Sequence, residues 1–307
     1  MTLPIILNPL SGKLTLRQKK QELQSACETQ GIQPEFVVAR TGRETRAAAQ
    51  RFSQEKRPVV GVCGGDGSLN TAAAGLMQGP STLLVLPGGT LNHFAQDLGI
   101  PAGLGAALRL ATEGREAAVD MGIVNADVFL NNSSIGWYPR FVIQREERRK
   151  QGIGKRLAAL KSALELTSRR SLLSLSLLID GKEAVRETSL LLVANNEYSL
   201  AAGSFGTRTT LAENALHVYL LAGKRKLPLG SLVWEGLRGG KRLPEGIEHY
   251  VCSELVVRSS RPALQVACDG EVAPLRPPLH YRILPQALKV RVPVSAVVAH
   301  ANDRSSF

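Results

Sequence analysis

The stretch PVVGVCGGDGSLN, residues 58–70, decides the fold of the first half of this chain. An apolar run is followed by three glycines within four positions and then by the Ala-rich run TAAAGL at 71–76. This order predicts a buried strand, a glycine turn and a helix. Glycines let a backbone approach a ligand closely, and the free N–H groups of a helix start attract anions. Because a carboxylate alone would repel a phosphate, Asp66 points either to a divalent cation or to a role in orienting the amides.

A second motif decides between a ligand-binding turn and a tight turn without a ligand, which the first motif leaves about equal. The apolar run TLLVL at 82–86 precedes PGGTLN at 87–92, so two consecutive strands end in a Gly-Gly turn. In an open parallel sheet such turns lie together at the carboxyl edge, where ligands bind. The sequence therefore favours a phosphate-binding site of the kinase type.

Strand and helix patterns alternate through the rest of residues 1–122. A strand at 3–7 ends in NPLSGK (8–13), and a strand at 35–39 is closed by RTG (40–42). The first of these turns is not a Walker A loop, since Leu14 follows Lys13. Helices are expected at 16–30, 43–55 and 104–111. The pattern predicts one doubly wound α/β domain.

From residue 123 the pattern changes to short β-prone segments separated by turns. We expect an antiparallel β-sandwich over residues 123–293, with helical insertions at about 146–168 and 229–236. Two of its strands are predicted separately, at 279–284 and at 288–292. The tail at 294–307 is a separate C-terminal segment, and its return to the first domain is an open alternative.

Composition narrows the class of protein. The chain has 307 residues and a formal net charge of +12, and ten Lys or Arg stand against three Glu between residues 140 and 170. No apolar run reaches the ~18 residues of a membrane span, and the cysteines show no C-x-x-C pair, so a cytoplasmic protein is expected. Basic residues near 145–170 and 224–242 stand beside leucines and Trp234, as in helices that bind an anionic membrane surface. A solvated basic helix stays open as the alternative, whereas nucleic acid is disfavoured because stacking aromatics are missing.

One acid of the second half stands out, Asp269 in the run CDGE at 268–271. An Asp-Gly turn between strands is common and needs no catalytic explanation. The first domain, however, offers phosphate cradles without an obvious base for a hydroxyl acceptor. Asp269 is therefore a candidate to accept that proton.

Four motifs now stand in order: NPLSG (8–12), GGDGSLN (64–70), PGGTLN (87–92) and DGE (269–271). Their order and rough spacing resemble the diacylglycerol kinase catalytic domain, in its soluble bacterial form related to sphingosine kinases. The resemblance implies an α/β domain that binds ATP with Mg²⁺, a C-terminal β-sandwich, and an active site in the interdomain cleft. It also implies a lipid substrate and a cytoplasmic protein at the inner membrane face.

The resemblance assigns a role to each candidate site residue. The nucleotide contacts are Asn8, Ser11 and Thr41; the phosphate cradle is Gly64, Gly65, Asp66, Gly67, Ser68 and Asn70; the second wall is Gly88, Gly89, Thr90 and Asn92. Asp66 and Asp120 are assigned to Mg²⁺ through water, and Asp269 is the base.

Two departures from the family pattern concern metals. Asn92-His93-Phe94 stands where the family often has Asn-Asp-Phe, so an imidazole replaces one carboxylate of the metal network. Glu213-Asn214 stands where some relatives bind a structural Mg²⁺ through Asp-Asp-Gly. Both departures bear on metal geometry, and the second puts that structural site in doubt.

The sequence thus favours an ATP-dependent lipid kinase that phosphorylates diacylglycerol or a related lipid. An NAD kinase-like enzyme is the nearest alternative, since it shares a Gly-Gly-Asp-Gly loop. A non-catalytic nucleotide- or lipid-binding regulatory protein is the alternative from another class. The acceptor lipid and the oligomeric state, including a homodimer, are left open.

Overall fold

The computed structural model describes residues 1–137, 139, 172–198, 208, 210–222, 246–296 and 298. The chain divides into two compact units. The first unit comprises Met1–Met121, Thr207–Asn214 and Leu284–Phe307, and the second comprises Gly122–Gly206 and Ala215–Ile283. The second unit thus begins at Gly122, and the chain returns to the first unit over the short segment 207–214 and again from Leu284. The domain boundaries predicted from the sequence stay predictions.

The first unit alternates strands and helices, as its sequence pattern predicts. One expected helix, at 104–111, is instead two short helices separated by Arg109, whose own backbone is right-handed helical. The elements are β1 (Thr2–Leu7), α1 (Leu16–Thr29), β2 (Gln33–Val38), α2 (Gly42–Gln54), β3 (Val59–Gly64), α3 (Asp66–Leu76), β4 (Thr82–Pro87), α4 (His93–Asp97), α5 (Leu104–Leu108), α6 (Leu110–Glu113) and β5 (Arg115–Val124).

The strands of the first unit form a parallel sheet in the order β4-β3-β1-β2. Strands β3 and β4 are buried along their whole length, whereas β2 at the edge is only partly buried. The chain runs from β1 outward to β2 and then crosses to β3 on the other side of β1. The sheet therefore has its topological switch point between β1 and β3, where open α/β sheets bind ligands.

Within the described residues of the second unit the strands pair antiparallel, including the early part of the last strand. Strand β8 alternates buried and more exposed side chains, and its buried side chains join a core that includes Phe129 and Tyr281. The strands are β6 (Asp127–Phe129), β7 (Asn132–Gly136), β8 (Leu173–Ile179), β9 (Lys182–Asn195), β10 (Leu216–Ala222), β11 (Ile247–Cys252), β12 (Glu254–Arg258), β13 (Leu264–Cys268), β14 (Glu271–Leu275) and β15 (Leu279–Val292). The chain is thus α/β with a parallel N-terminal core followed by antiparallel strands, as predicted.

Strand β15 corrects one prediction from the sequence. The segments 279–284 and 288–292 are one continuous strand rather than two. Its early residues pair antiparallel with β12, and Val290 pairs parallel with Leu83 of β4. Between the two predicted segments lie Pro285, Gln286 and Ala287, and Gln286 has a positive φ of 49° within the continuous strand.

Both basic helical insertions, within 145–170 and 224–242, lie outside the described residues. In the part of the chain that is described, no helix is long and apolar enough to cross a membrane.

Candidate functional site

Three loops of the first unit meet at the carboxyl edge of its sheet through their glycines. A Cβ on Gly12 would lie 2.1 Å from the carbonyl oxygen of Gly88, and a Cβ on Gly89 would lie 2.5 Å from Cα of Gly65. A Cβ on Gly88 would lie 3.0 Å from the Gly64 nitrogen. Because real Cβ contacts are longer than this, larger residues would push the three loops apart. The glycines of these loops are needed for the loops to pack together.

The second loop is shorter than its motif suggested, because helix α3 already begins at Asp66. Gly67, Ser68 and Asn70 therefore lie in the first two helical turns rather than in an open loop. Gly65 is the N-cap, and no side chain caps the helix. The N–H groups of the first turn are thus open to an anion, at the positive end of an 11-residue helix.

The first loop is joined to this helix start by a side-chain hydrogen bond. Asn8 Nδ2 donates to Ser68 Oγ over 2.7 Å, and Asn8 Oδ1 accepts from the Leu10 N–H at 2.9 Å. Ser11 Oγ donates its single proton to the Asn8 carbonyl at 3.1 Å. Asn8 therefore connects two of the predicted site segments across the switch point, and Ser11 stabilises the turn from within.

The third loop is held by Asn92, which adopts a left-handed conformation with φ of 53°. Its Oδ1 accepts from the Gly89 N–H at 2.9 Å, while Thr90 is exposed. Asp66 Oδ1 accepts from the Phe94 N–H at 3.1 Å and so ties α3 to α4. His93, the residue that replaces a carboxylate, is exposed. These bonds hold the second and third loops together.

Thr41 lies at the same edge, beyond the end of β2. Its hydroxyl caps helix α2 by accepting from the Glu44 N–H at 3.2 Å. The capping hydroxyl keeps its proton, and the residue is exposed. The nucleotide contact predicted for Thr41 stays a prediction, whereas its capping bond is an observed structural function.

The two acids assigned to Mg²⁺ have different surroundings. Asp66 is partly exposed, and its Oδ2 makes no hydrogen bond within the described part of the chain. Asp120 is 1% exposed, and its oxygens accept from the Asn214 N–H at 2.7 Å and the Gln286 N–H at 2.8 Å. Among the described residues, no three His, Cys, Asp or Glu side chains form a metal cluster. The Mg²⁺ contacts assigned to Asp66 and Asp120 stay predictions; carboxylate oxygens together with water and ligand oxygens are a set that suits Mg²⁺.

Asp269 lies in the second unit, in the turn between β13 and β14. Its φ is 48° and that of Gly270 is 86°, as expected for a two-residue Asp-Gly hairpin. The carboxylate accepts three backbone N–H groups, from Leu130 at 2.7 Å, Asn131 at 2.8 Å and Asn132 at 3.0 Å. The carboxylate is therefore held rigidly, and its negative charge is stabilised by donors.

The sequence analysis missed two charged groups of the first unit. Lys19 is fully buried behind the first loop. Its burial could have been predicted from its spacing to Leu23 and Cys27 along α1, because residues four apart lie on the same, buried face of the helix. Arg208 forms a buried ion pair with Asp97 of α4 at 2.9 Å. No local pattern links residues 111 positions apart in the chain.

Comparison with known proteins extends this description. Residues 2–124 match the family model of the diacylglycerol kinase catalytic domain. A diacylglycerol kinase of Staphylococcus carnosus is 30% identical over 134 residues, which cover 43% of this chain and 44% of that protein. One of Staphylococcus aureus is 29% identical over 152 residues, which cover 49% of this chain and 48% of that protein. The matches thus span about half the length of these relatives.

The solved structures establish the fold over a longer range than the sequence matches. A diacylglycerol kinase structure from Bacillus anthracis superposes with a TM-score of 0.69 and covers 96% of this chain and 98% of its own. Its sequence identity is 19%, so the likeness is one of fold. The family match over residues 2–124 confirms the resemblance that the first three motifs indicated, whereas the fourth motif, at 269–271, lies outside the matched residues.

Proposed function

We propose that this chain is an ATP-dependent kinase that transfers the γ-phosphoryl group to a lipid hydroxyl, of diacylglycerol or a related lipid. The observation that carries the proposal is the convergence of three glycine loops on an uncapped helix start at the switch point of the sheet. That arrangement suits a polyphosphate, because it offers backbone N–H groups and excludes side chains. The family match over residues 2–124 supports a lipid as the acceptor.

Each part of the first-unit site has a task in this proposal. The N–H groups of Asp66, Gly67 and Ser68 would hold phosphate oxygens, and the loops at Asn8–Gly12 and Gly88–Asn92 would form the two walls. Asp66, through Oδ2, would hold Mg²⁺ together with phosphate oxygens and water. Mg²⁺, when bound, neutralises charge on the phosphates. The glycine contacts keep the cradle fixed, so that little reorganisation is needed when charge develops.

Asp269 is proposed as the base. In the reaction the lipid oxygen forms a bond to the γ-phosphorus, the bond from that phosphorus to the ADP oxygen breaks, and the hydroxyl proton passes to the carboxylate. The three N–H donors fix the orientation of the carboxylate. The proposed base therefore contributes through its fixed position.

The chain contains a matched control for Asp269. Asp180 lies in another Asp-Gly turn, between β8 and β9, with φ of 44° followed by 83° at Gly181. Its carboxylate likewise accepts backbone N–H groups, from Ser253 at 3.1 Å and Glu254 at 2.9 Å. Asp180→Asn therefore makes the same chemical change in a turn of the same design, without touching the proposed base.

The experiment measures transfer of labelled γ-phosphate from ATP and Mg²⁺ into a chloroform-extractable product, with mixed lipid vesicles. We expect label with the wild type and Asp180→Asn, and a loss of at least about 100-fold with Asp269→Asn, which is of the size of a general-base effect. Nucleotide binding should survive in both variants. Equal turnover in the two variants would reject Asp269 as the base.

The same assay separates the competing functions. Label in NADP, when NAD is supplied, would replace the proposal by an NAD kinase-like enzyme. Nucleotide binding without transfer to any acceptor would replace it by a regulatory binding protein. Sedimentation with anionic vesicles, compared with neutral ones, tests the proposed peripheral location at the membrane.

A further inference from the structure

Lys19 is a buried ammonium that the mechanism above does not use. The residue lies in the first turn of α1 and has 0% of its surface exposed. Its Nζ donates to the Asn8 carbonyl at 2.8 Å, the Ser11 carbonyl at 2.6 Å and Ser11 Oγ at 2.9 Å. All three N–H groups of the ammonium thus donate hydrogen bonds to the first loop, which forms one wall of the proposed phosphate site.

The oxygens around Lys19 are neutral. Within the described residues, no carboxylate lies in ion-pair range of its Nζ, and Cys63 at the end of β3 is the neighbour that interacts with it electrostatically. Burial lowers the pKa of Lys19, and the Cys63 thiol opposes this only as a lesser influence. A buried charge without an opposite charge is costly, unless an anion lies within reach.

The location of the Lys19 ammonium indicates which anion would lie within its reach. Asn8 and Ser11 follow β1 directly, Cys63 precedes Gly64, and the switch point lies between these two strands. Lys19 is therefore immediately behind the segment that faces the uncapped start of α3, since Asn8 also bonds Ser68 there. The ammonium and the helix start approach the same place from two sides, and both favour negative charge.

We propose that Lys19 is a positioning residue that sets the preference of this site for polyphosphates. It draws the Asn8 and Ser11 carbonyls inward, so that these carbonyl oxygens are turned away from the ligand. Its charge then stabilises phosphates across one layer of backbone without touching them. The inference rests on the proposed function for the identity of the ligand as a nucleoside triphosphate.

The test compares the dissociation constants of ATP, ADP, AMP and adenosine for the full-length wild type, Lys19→Met, Lys19→Arg and Lys20→Met. Lys20 is the matched control, because it is the next residue of the same helix and contacts the Phe36 ring rather than the loop. Calorimetric titration is the measurement. The number of phosphates is the variable, because a role in packing alone would not depend on it.

We expect Lys19→Met to weaken ATP binding by at least about tenfold and adenosine binding by less than about twofold, because the lost interaction is one of charge. Lys19→Arg should retain most of the dependence on phosphate number, and Lys20→Met should match the wild type. If Lys19→Met raises the dissociation constants of ATP and adenosine by the same factor, or changes neither of them, the inference is wrong.

A second measurement avoids the risk that Lys19→Met fails to fold. The wild type carries ¹³C at lysine Cε, the Lys19 signal is identified from its loss in Lys19→Arg, and its pKa is followed with ATP and with adenosine. A bound polyanion should raise the pKa of Lys19, and adenosine should leave it unchanged. An unchanged pKa with saturating ATP contradicts the proposal.

The two proposals fail separately in these experiments. Phosphoryl transfer to lipid with the same ATP affinity in Lys19→Met and Lys20→Met would refute the role of Lys19 and support the kinase. ATP affinity that depends on Lys19, in a protein that phosphorylates no lipid, would support the role of Lys19 and refute the kinase.

Discussion

The contact between Gly12 and Gly88 gives a quantitative test of the site, because the chain offers a control with the same backbone conformation. Gly12 has φ of 69°, and a Cβ added there would lie 2.1 Å from the Gly88 carbonyl oxygen. Gly31, after helix α1, has φ of 64°, and a Cβ added there meets nothing within 4 Å. The variants Gly12→Ala and Gly31→Ala therefore share the backbone strain and differ in the loop contact.

The expected magnitudes follow from these two situations. A left-handed alanine costs roughly 1–2 kcal/mol in either variant. The overlap adds about 1–3 kcal/mol at Gly12 unless the loops move apart by about 1 Å. At about 2 °C per kcal/mol, the melting temperature should fall by about 2–4 °C in Gly31→Ala and by about 4–10 °C in Gly12→Ala.

Nucleotide affinity separates a local from a global effect. A shift of about 1 Å in a positioning loop costs up to about 100-fold, so we expect Gly12→Ala to lose at least about tenfold in ATP affinity. Gly31→Ala should bind ATP as the wild type does. The measurements are differential scanning fluorimetry and titration with ATP and Mg²⁺. Equal ATP affinity in the two alanine variants would refute the view that the contact between these loops forms the site.

Two further predictions concern buried groups of the first unit. Asp97→Asn should lower the free energy of unfolding by up to about 3–5 kcal/mol, because it removes the carboxylate charge from a buried ion pair with Arg208. Glu113→Gln, which breaks an exposed pair, should change the free energy of unfolding by less than about 1 kcal/mol in urea titrations, and equal losses in the two variants would contradict the argument. Burial raises the pKa of the Cys63 thiol from 9.0 to about 11, so iodoacetamide at pH 8 should label it only after unfolding, as mass spectrometry of the labelled peptide would detect. The contribution of the Cys63 thiol to the free energy of unfolding is present below pH 9 and is lost as the pH rises through about 11. Labelling of Cys63 in the native protein at pH 8 would contradict this account.

Local patterns in the sequence were sufficient for the first unit. The apolar run at 58–63 could only be a strand buried on both faces, and the glycines after it could only end that strand. The same holds for the run at 82–86 and its Gly-Gly turn. Because the carboxyl ends of parallel strands share one edge, the chemistry of these turns could be placed together before any coordinates were known.

Helix boundaries were harder to predict from the sequence, because they depend on which residue caps the helix. The motif at 64–70 reads as one glycine loop, yet α3 starts at Asp66, because Gly65 can serve as the N-cap. Likewise Gln286 adopts a positive φ within β15, and its N–H binds Asp120. A contact with a residue 166 positions away supports that conformation, and no local pattern contains this information.

The sequence by itself determined the alternation of strands and helices in the first unit and the glycine loops of the site, and it carries the resemblance of residues 2–124 to a family model. The tertiary structure alone decided that Lys19 donates its N–H groups to the first loop, that Gly12 meets Gly88, and that three N–H groups hold Asp269. The physical reason is that periodicity and turn chemistry act over a few residues. The burial of a charge and the approach of two backbones depend on segments that meet only when the sheet has formed.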